Sequence, residues 1–239
     1  MTPLDRNLRW MAWSGVAAIV IILLGQGVIA HYVPPPGPQD SREQILQLYV
    51  DHHDRIRIGL IVATFGAALL GPWVTAIAIQ MRRIEGRIAP LAWLQVMLGA
   101  CLIIEFLIPI TIWQAAAFRP EDDPNLTYRL HDVASIMYVA LPVTGALQTV
   151  ILGITILQHE QSVFPRWLAY LSFWAGIGFL PGALNPLAHD GPVAWDGVLA
   201  WWLGLGIFGV WIAGVTWSLL KAPLIDGDVE QPAYLSNGS

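Results

Sequence analysis

Six stretches of apolar sequence, at about 10–30, 56–80, 90–118, 132–157, 165–187 and 193–220, each come near or exceed the roughly 20 residues a helix needs to cross a bilayer. In hydrocarbon every backbone N–H and C=O must find its partner inside its own segment, so runs of this length fold as membrane-crossing helices. The composition agrees: of 239 residues, 56% are hydrophobic and only 12% charged, both far from the soluble-globular average. The expected fold is all-α, an integral membrane bundle of six transmembrane helices. It forms one domain over 1–220, followed by a polar, disordered cytoplasmic tail over 221–239. The remaining gaps are too short to bury a core of their own.

Arg6 and Arg9 precede the first run, and "GVIA" at 27–30 has the small residues of a signal cleavage site. Trp10 to Ala30 nevertheless exceeds the usual signal core of about 7 to 15 residues, so the segment reads as a retained helix. The short turn "QMRRIEGRIAP" packs three arginines between two spans and resists translocation. That places both termini in the cytoplasm of a bacterial cell, in the inner membrane, and sends loops 31–55, 119–131 and 188–193 outside. A formal net charge of −5 argues against a nucleic-acid partner.

After the first span, the prolines of "YVPPPGPQD" at 32–40 forbid a helix. Ser41 and Gln44 then have capping-box spacing, and Ile45, Leu48, Tyr49, His52 and Ile56 share one face. An amphipathic helix is expected at about 42–53, on the outer interface or running into the second span. Ala63, Ala67 and Gly71 in the second span, and Gly209 and Ala213 in the sixth, have the four-residue spacing of small residues that allows close helix contact.

Glu105 is the only acidic residue deep in a span, thirteen residues before Phe118 and so roughly 20 Å below the outer boundary. An ionised carboxylate there costs about 3 to above 10 kcal/mol, so it should be protonated, paired or facing a wet cavity, with Thr144 and Gln148 at similar depth as partners. Pro109 frees the carbonyl of Glu105, and Pro142 and Pro181 free those of Tyr138 and Ile177. At the outer level, His52, His53 and Asp54 enter the second span, and His131 and Asp132 open the fourth. His189 and Asp190 leave the fifth, Asp196 opens the sixth, and Arg55, Arg57, Arg119 and Arg129 stand nearby. No two histidines have the i,i+3 or i,i+4 spacing by which one helix supplies two metal ligands, and all six lie at span ends or in loops, so neither a metal nor a haem cofactor is expected.

Several stretches, "DRIRIGL" at 54–60, "QMRRIEG" at 80–86, "AAAFRPEDDP" at 115–124, "FPRWLAYLSFW" at 164–174 and "GPVAWDGVLAWW" at 191–202, resemble a family of multi-span membrane proteins of actinobacteria and related bacteria. The resemblance implies the multi-span fold and no activity. In that family an asparagine commonly stands at the positions of His131 and Asp196.

The functional expectation is an enzyme of the cyclase or isomerase kind, acting by acid–base chemistry on an isoprenoid, sterol or lipid in a polar cavity open to the outer leaflet. Glu105, His131 and Asp132 would be catalytic, and His53, Arg55, Arg119, Tyr138 and Asp196 would bind substrate. The other expectation is a non-catalytic membrane subunit or small-molecule carrier. On either expectation the partners are the bilayer and a lipophilic small molecule, with a second copy or a partner membrane subunit.

Overall fold

The computed structural model describes residues 2–140, 143–160 and 162–223, and all regular structure among them is helical. Pro142 and nearly all of the tail lie outside the described residues. Six helical segments, Pro3–Ile29, Arg42–Glu85, Pro90–Ala116, Pro124–Gln158, Arg166–Leu187 and Val198–Lys221, are long and apolar enough to cross a membrane. This is a multi-pass, all-α membrane protein.

The first segment opens with a capping box in which Thr2 and Asp5 satisfy each other's backbone N–H. Helix α1 (Pro3–Ile22) then widens without a break into a π-helical stretch, Leu23–Ile29. Helices α2 (Arg42–Ala68) and α3 (Leu70–Glu85) form the second crossing. They are interrupted at Leu69, next to Pro72, which cannot donate to the carbonyl of Ala68. Helices α4 (Pro90–Ala116), α5 (Pro124–Ala140) and α6 (Val143–Gln158) follow. Helix α7 (Arg166–Phe179) tightens into a 3₁₀ helix at Leu180–Leu187, and a second π-helical stretch, Val198–Trp202, leads into α8 (Leu203–Lys221).

Ser41 and Gln44 form the capping box expected of them, and the amphipathic stretch continues directly into the second crossing. It buries Ile45 and Tyr49, but the backbone leaves helical geometry at His52 (φ −133°, ψ 16°) and turns that histidine outward. Pro181 does not leave a loose carbonyl. The 3₁₀ turn lets the Leu180 N–H take the carbonyl of Ile177.

Helix α1 lies against α2, α3 and α8, α4 packs on α2, α3, α5 and α6, and α7 fills the space between α6 and α8. Toward the chain ends, Trp73 and Trp211 meet edge to face at 5.2 Å. Their indole N–H groups donate to Thr216 and Ser172, each at 3.0 Å, which joins α3, α7 and α8. Lipid is as apolar as these side chains, so such van der Waals contact and interhelical hydrogen bonding hold the bundle.

The first two crossings approach backbone to backbone. A Cβ at Gly59 would collide with the carbonyl of Gly25 and the backbone of Ala30, and one at Gly25 would collide with Gly59 and Ala63. Ala63 is fully buried in the same seam, which Gly66 continues against the backbone of Ile22 and Ala18; Ala67 is also fully buried, whereas Gly209 has open space around it and Ala213 is exposed. That second small-residue stripe turns away from the other helices. Gly59→Ala is expected to destabilise the fold by about 1–3 kcal/mol through overpacking of backbone on backbone, read as a lower unfolding temperature in detergent. Gly209→Ala serves as the control and should change little.

Candidate functional site

The two π-helical stretches face one another across a single cavity of about 120 Å³. A π turn is rare, and where it occurs it often re-aims side chains at a functional site. Here the first contributes Leu23 and Gln26 and the second contributes Ala200 and Trp201. Helix α4 adds Glu105 and Phe106, α5 adds Tyr138, and α6, α7 and α8 add Gly145, Phe179 and Phe208. Every lining residue is buried or half-buried, and the cavity is a recess between the helices that opens to the surface on one side.

Its polar groups are few and neutral apart from one carboxyl. The Tyr138 hydroxyl donates to Gln26 Oε1 at 2.8 Å, and the Tyr138 ring stacks on Trp201 with centroids 5.8 Å apart. That bond fixes the Gln26 amide so that its nitrogen turns elsewhere. Gln26 is 2% and Trp201 6% exposed, yet neither Gln26 Nε2 nor Trp201 Nε1 has a hydrogen-bond partner. Glu105, half-buried, accepts a 2.6 Å hydrogen bond from Thr144 Oγ1 on α6, one of the two partners its depth suggested. Gln148, the other, turns to the Gln95 carbonyl at 3.4 Å. No lysine, arginine or histidine lines the cavity.

His131 belongs to a separate, sealed cluster. It is 0% exposed, and its Nε2 lies 3.2 Å from the Pro36 carbonyl, which can only accept, so Nε2 carries the ring hydrogen. Nδ1 is then an acceptor, 2.7 Å from the Tyr32 hydroxyl, and the Tyr49 hydroxyl lies 2.6 Å from that of Tyr32. Burial first, and then the Tyr49 hydroxyl, push Tyr32 well above the ordinary phenol range, so Tyr32 keeps its proton and donates it to the ring. Trp195 Nε1 also donates to the Pro36 carbonyl, at 2.8 Å. One proline carbonyl thus collects the start of α5 and the loop before the last crossing, and holds them on the 32–40 segment.

The remaining candidates are scattered around the rim. His53 lies 3.1 Å from Asp54, and Arg57 approaches Asp54 at 3.7 Å. Arg57 and Arg119 flank the Phe118 ring at 5.0 and 5.3 Å. Asp132 lies 4.0 Å from Arg129, on another side of α5 from His131, and Asp196 accepts from Gln39 at 2.9 Å. Arg55 is half-buried with an unpartnered Nε. Of the residues singled out by sequence, only Glu105 and Tyr138 share the cavity; His53, Arg55, Arg119, His131, Asp132 and Asp196 do not line it. The single hollow anticipated for them is replaced by a recess between the helices, a sealed histidine cluster and a solvated rim of ion pairs, each pair worth about 0–1 kcal/mol. Sequence alone does not single out Gln26, Trp201, Tyr32 and Tyr49, which line the cavity or the histidine cluster. Gln26 had a readable signal, an amide between two glycines in an otherwise apolar run.

No group of three or more potential metal ligands comes together among the described residues. Comparison with protein-family models, with curated proteins and with solved structures finds no match to this chain.

Proposed function

We propose that this protein is an integral membrane enzyme that moves a proton on a lipophilic small molecule held in the cavity between the two π turns. The observation that carries the reading is the placement of one carboxyl group, Glu105, in the wall of a recess between the helices that is otherwise mostly apolar and aromatic. A pocket of that make-up suits a greasy ligand oriented by a few polar groups, and Glu105 is the one group there able to exchange a proton near neutrality. Thr144 holds the carboxyl in place. The volume, about 120 Å³, compares with the roughly 150 Å³ apolar cavity that accepts benzene, so the reacting part is the size of one small ring or a branched chain end. An isoprenoid or lipid end group fits this better than a whole sterol. The arginine-rich turn at 82–87 supports cytoplasmic termini in a bacterial inner membrane.

The test is to fill the cavity. A Cβ on Gly145 would make only ordinary contacts, with Leu102 at 3.6 Å and Phe179 at 3.9 Å, so a longer side chain extends into the space. Gly145→Leu is expected to abolish turnover while leaving the unfolding temperature unchanged or raised, as cavity filling does. Turnover can be followed without knowing the substrate, as deuterium incorporated from D₂O into a total membrane-lipid extract, read by mass spectrometry. Undiminished incorporation with the cavity filled would remove the reading. A carrier would lose binding on filling but show no incorporation in the wild type.

A further inference from the structure

Five aromatic side chains line the recess and touch in series. Trp201 stacks on Tyr138 at 5.8 Å, Tyr138 meets Phe106 edge to face at 5.3 Å, Phe106 stacks on Phe208 at 6.0 Å, and Phe208 meets Phe179 at 6.1 Å. Phe106 directly follows Glu105, so the one carboxyl group of the recess comes from the same helical turn as the central ring of this wall. The other polar groups are closed to a ligand: the Tyr138 hydroxyl is bonded to Gln26 Oε1, and Gln26 Nε2 and Trp201 Nε1 have essentially no accessible surface. Glu105 Oε2 takes the hydrogen bond from Thr144, while Oε1 has no partner among the described residues and is not sealed off. We infer that the recess takes the branched carbon–carbon double bond of a lipophilic alkene, that Glu105 protonates it, and that the aromatic wall stabilises the carbocation so formed. This deepens the reading of the recess as a site of proton transfer and rests on it.

The sign of the charge decides between two ways of moving a proton on carbon. Taking a proton first leaves negative charge on the substrate, which needs hydrogen-bond donors or a cation beside it. No lysine, arginine or histidine lines the recess, and its side-chain N–H groups are out of reach. Giving a proton first leaves positive charge, which the π electrons of aromatic rings attract, most strongly where water is excluded. A carbonyl or phosphate oxygen would find no side-chain donor here, whereas an alkene requires none. Size agrees with this class, since about 120 Å³ holds a branched chain end and the open side leaves room for the rest of the chain.

In its protonated form Glu105 gives its hydrogen to the less substituted carbon of the double bond: the O–H bond breaks, the π pair forms the new C–H bond, and the tertiary carbon becomes positive. The charges arise as a pair, carboxylate and carbocation, so the recess gains no net charge. The Thr144 hydroxyl, 2.6 Å from Oε2, stabilises the carboxylate as it forms. The carboxylate then takes a hydrogen from a carbon next to the cation, and that C–H pair becomes the new C=C bond. Loss from the carbon just protonated restores the substrate with a solvent hydrogen in it. Loss from another neighbour shifts the double bond, and the isomer has the same atoms and electrons as the substrate.

The test uses the purified full chain in a non-ionic detergent and a matched pair of probes, N,N-dimethylhexylamine and 2-methyloctane, titrated by ligand-observed NMR at equal mole fraction in the detergent phase. At neutral pH the amine is an ammonium ion whose nitrogen stands where the carbocation would be, and 2-methyloctane is its uncharged isostere. The ammonium is expected to bind at least tenfold more tightly. Phe106→Leu and Phe208→Leu, each keeping an apolar side chain, should each cut that preference about fivefold and leave 2-methyloctane nearly unaffected. In wild-type membranes in D₂O, fragmentation of the lipid extract should place the incorporated deuterium on carbons of, or next to, a branched C=C bond. Equal affinity of the two probes in the wild type, an unchanged preference in both ring variants, or deuterium confined to carbons beside a carbonyl would overturn the carbocation assignment and leave the proton-transfer reading standing. Binding of neither probe together with no incorporation would overturn both.

Discussion

Glu105→Gln is expected to lower deuterium incorporation by about 10²–10⁴-fold, the usual contribution of a positioned general acid or base. The unfolding temperature should stay within a few degrees of wild type. The two side chains have nearly the same shape, and the Thr144 hydroxyl, 2.6 Å from Oε2, can donate to an amide oxygen as it does to a carboxyl oxygen. What the amide cannot do is take up and return a proton. Thr144→Val separates positioning from chemistry: it removes the hydroxyl while nearly preserving volume, and a loss of about tenfold is expected because the carboxyl then samples other rotamers. A glutamine variant that turned over as fast as wild type would leave Glu105 as a helix-to-helix hydrogen bond and nothing more.

The difference between what the sequence shows and what it conceals follows from the two kinds of signal involved. Crossing helices are written as composition over some 20 residues, so one substitution barely alters the message, and the six segments appear where the apolar runs stand. The capping box at Ser41 and the small residue Ala63 of the seam are equally local. A cavity is different, because its walls come from segments far apart in the chain whose relative rotation no single run encodes. Charge is conspicuous in an apolar sequence and drew attention to His53, Arg55, Arg119, Asp132 and Asp196, yet charged side chains in a membrane protein collect where water is, at the rim. Gln26 and Trp201 are inconspicuous by composition. Their place in the cavity wall depends on two π turns, each of which rotates the following side chains out of α-helical register. His131 was visible as an ionisable residue near a span end; that its neighbours would be two tyrosines and a proline carbonyl was not, since these arrive from residues 32, 36 and 49.

His131→Leu is expected to destabilise the protein by about 2–4 kcal/mol, lowering the unfolding temperature by roughly 5–15 °C, because it strips buried groups of their partners. The Tyr32 hydroxyl would lose its acceptor at 2.7 Å, and Tyr49, 3.2 Å from the same nitrogen, would have only Tyr32 left. The Pro36 carbonyl would keep its bond from Trp195 but lose the one from the ring, and with it the tie between α5 and the 32–40 segment. Tyr49→Phe leaves the Tyr32–His131 bond in place and should cost only about 1 kcal/mol. His131→Asn is intermediate in expectation: the amide has both a donor and an acceptor, but it is too short to reach the Tyr32 hydroxyl and the Pro36 carbonyl together without a shift of backbone. The decisive comparison is between stability and turnover. A cluster that only fastens the far end of the bundle predicts that His131→Asn, once folded, incorporates deuterium at close to the wild-type rate, because the ring lies outside the cavity that holds Glu105. A variant that unfolds at the wild-type temperature and has lost turnover would instead make His131 part of the chemistry, and would require the sealed cluster to open during the reaction.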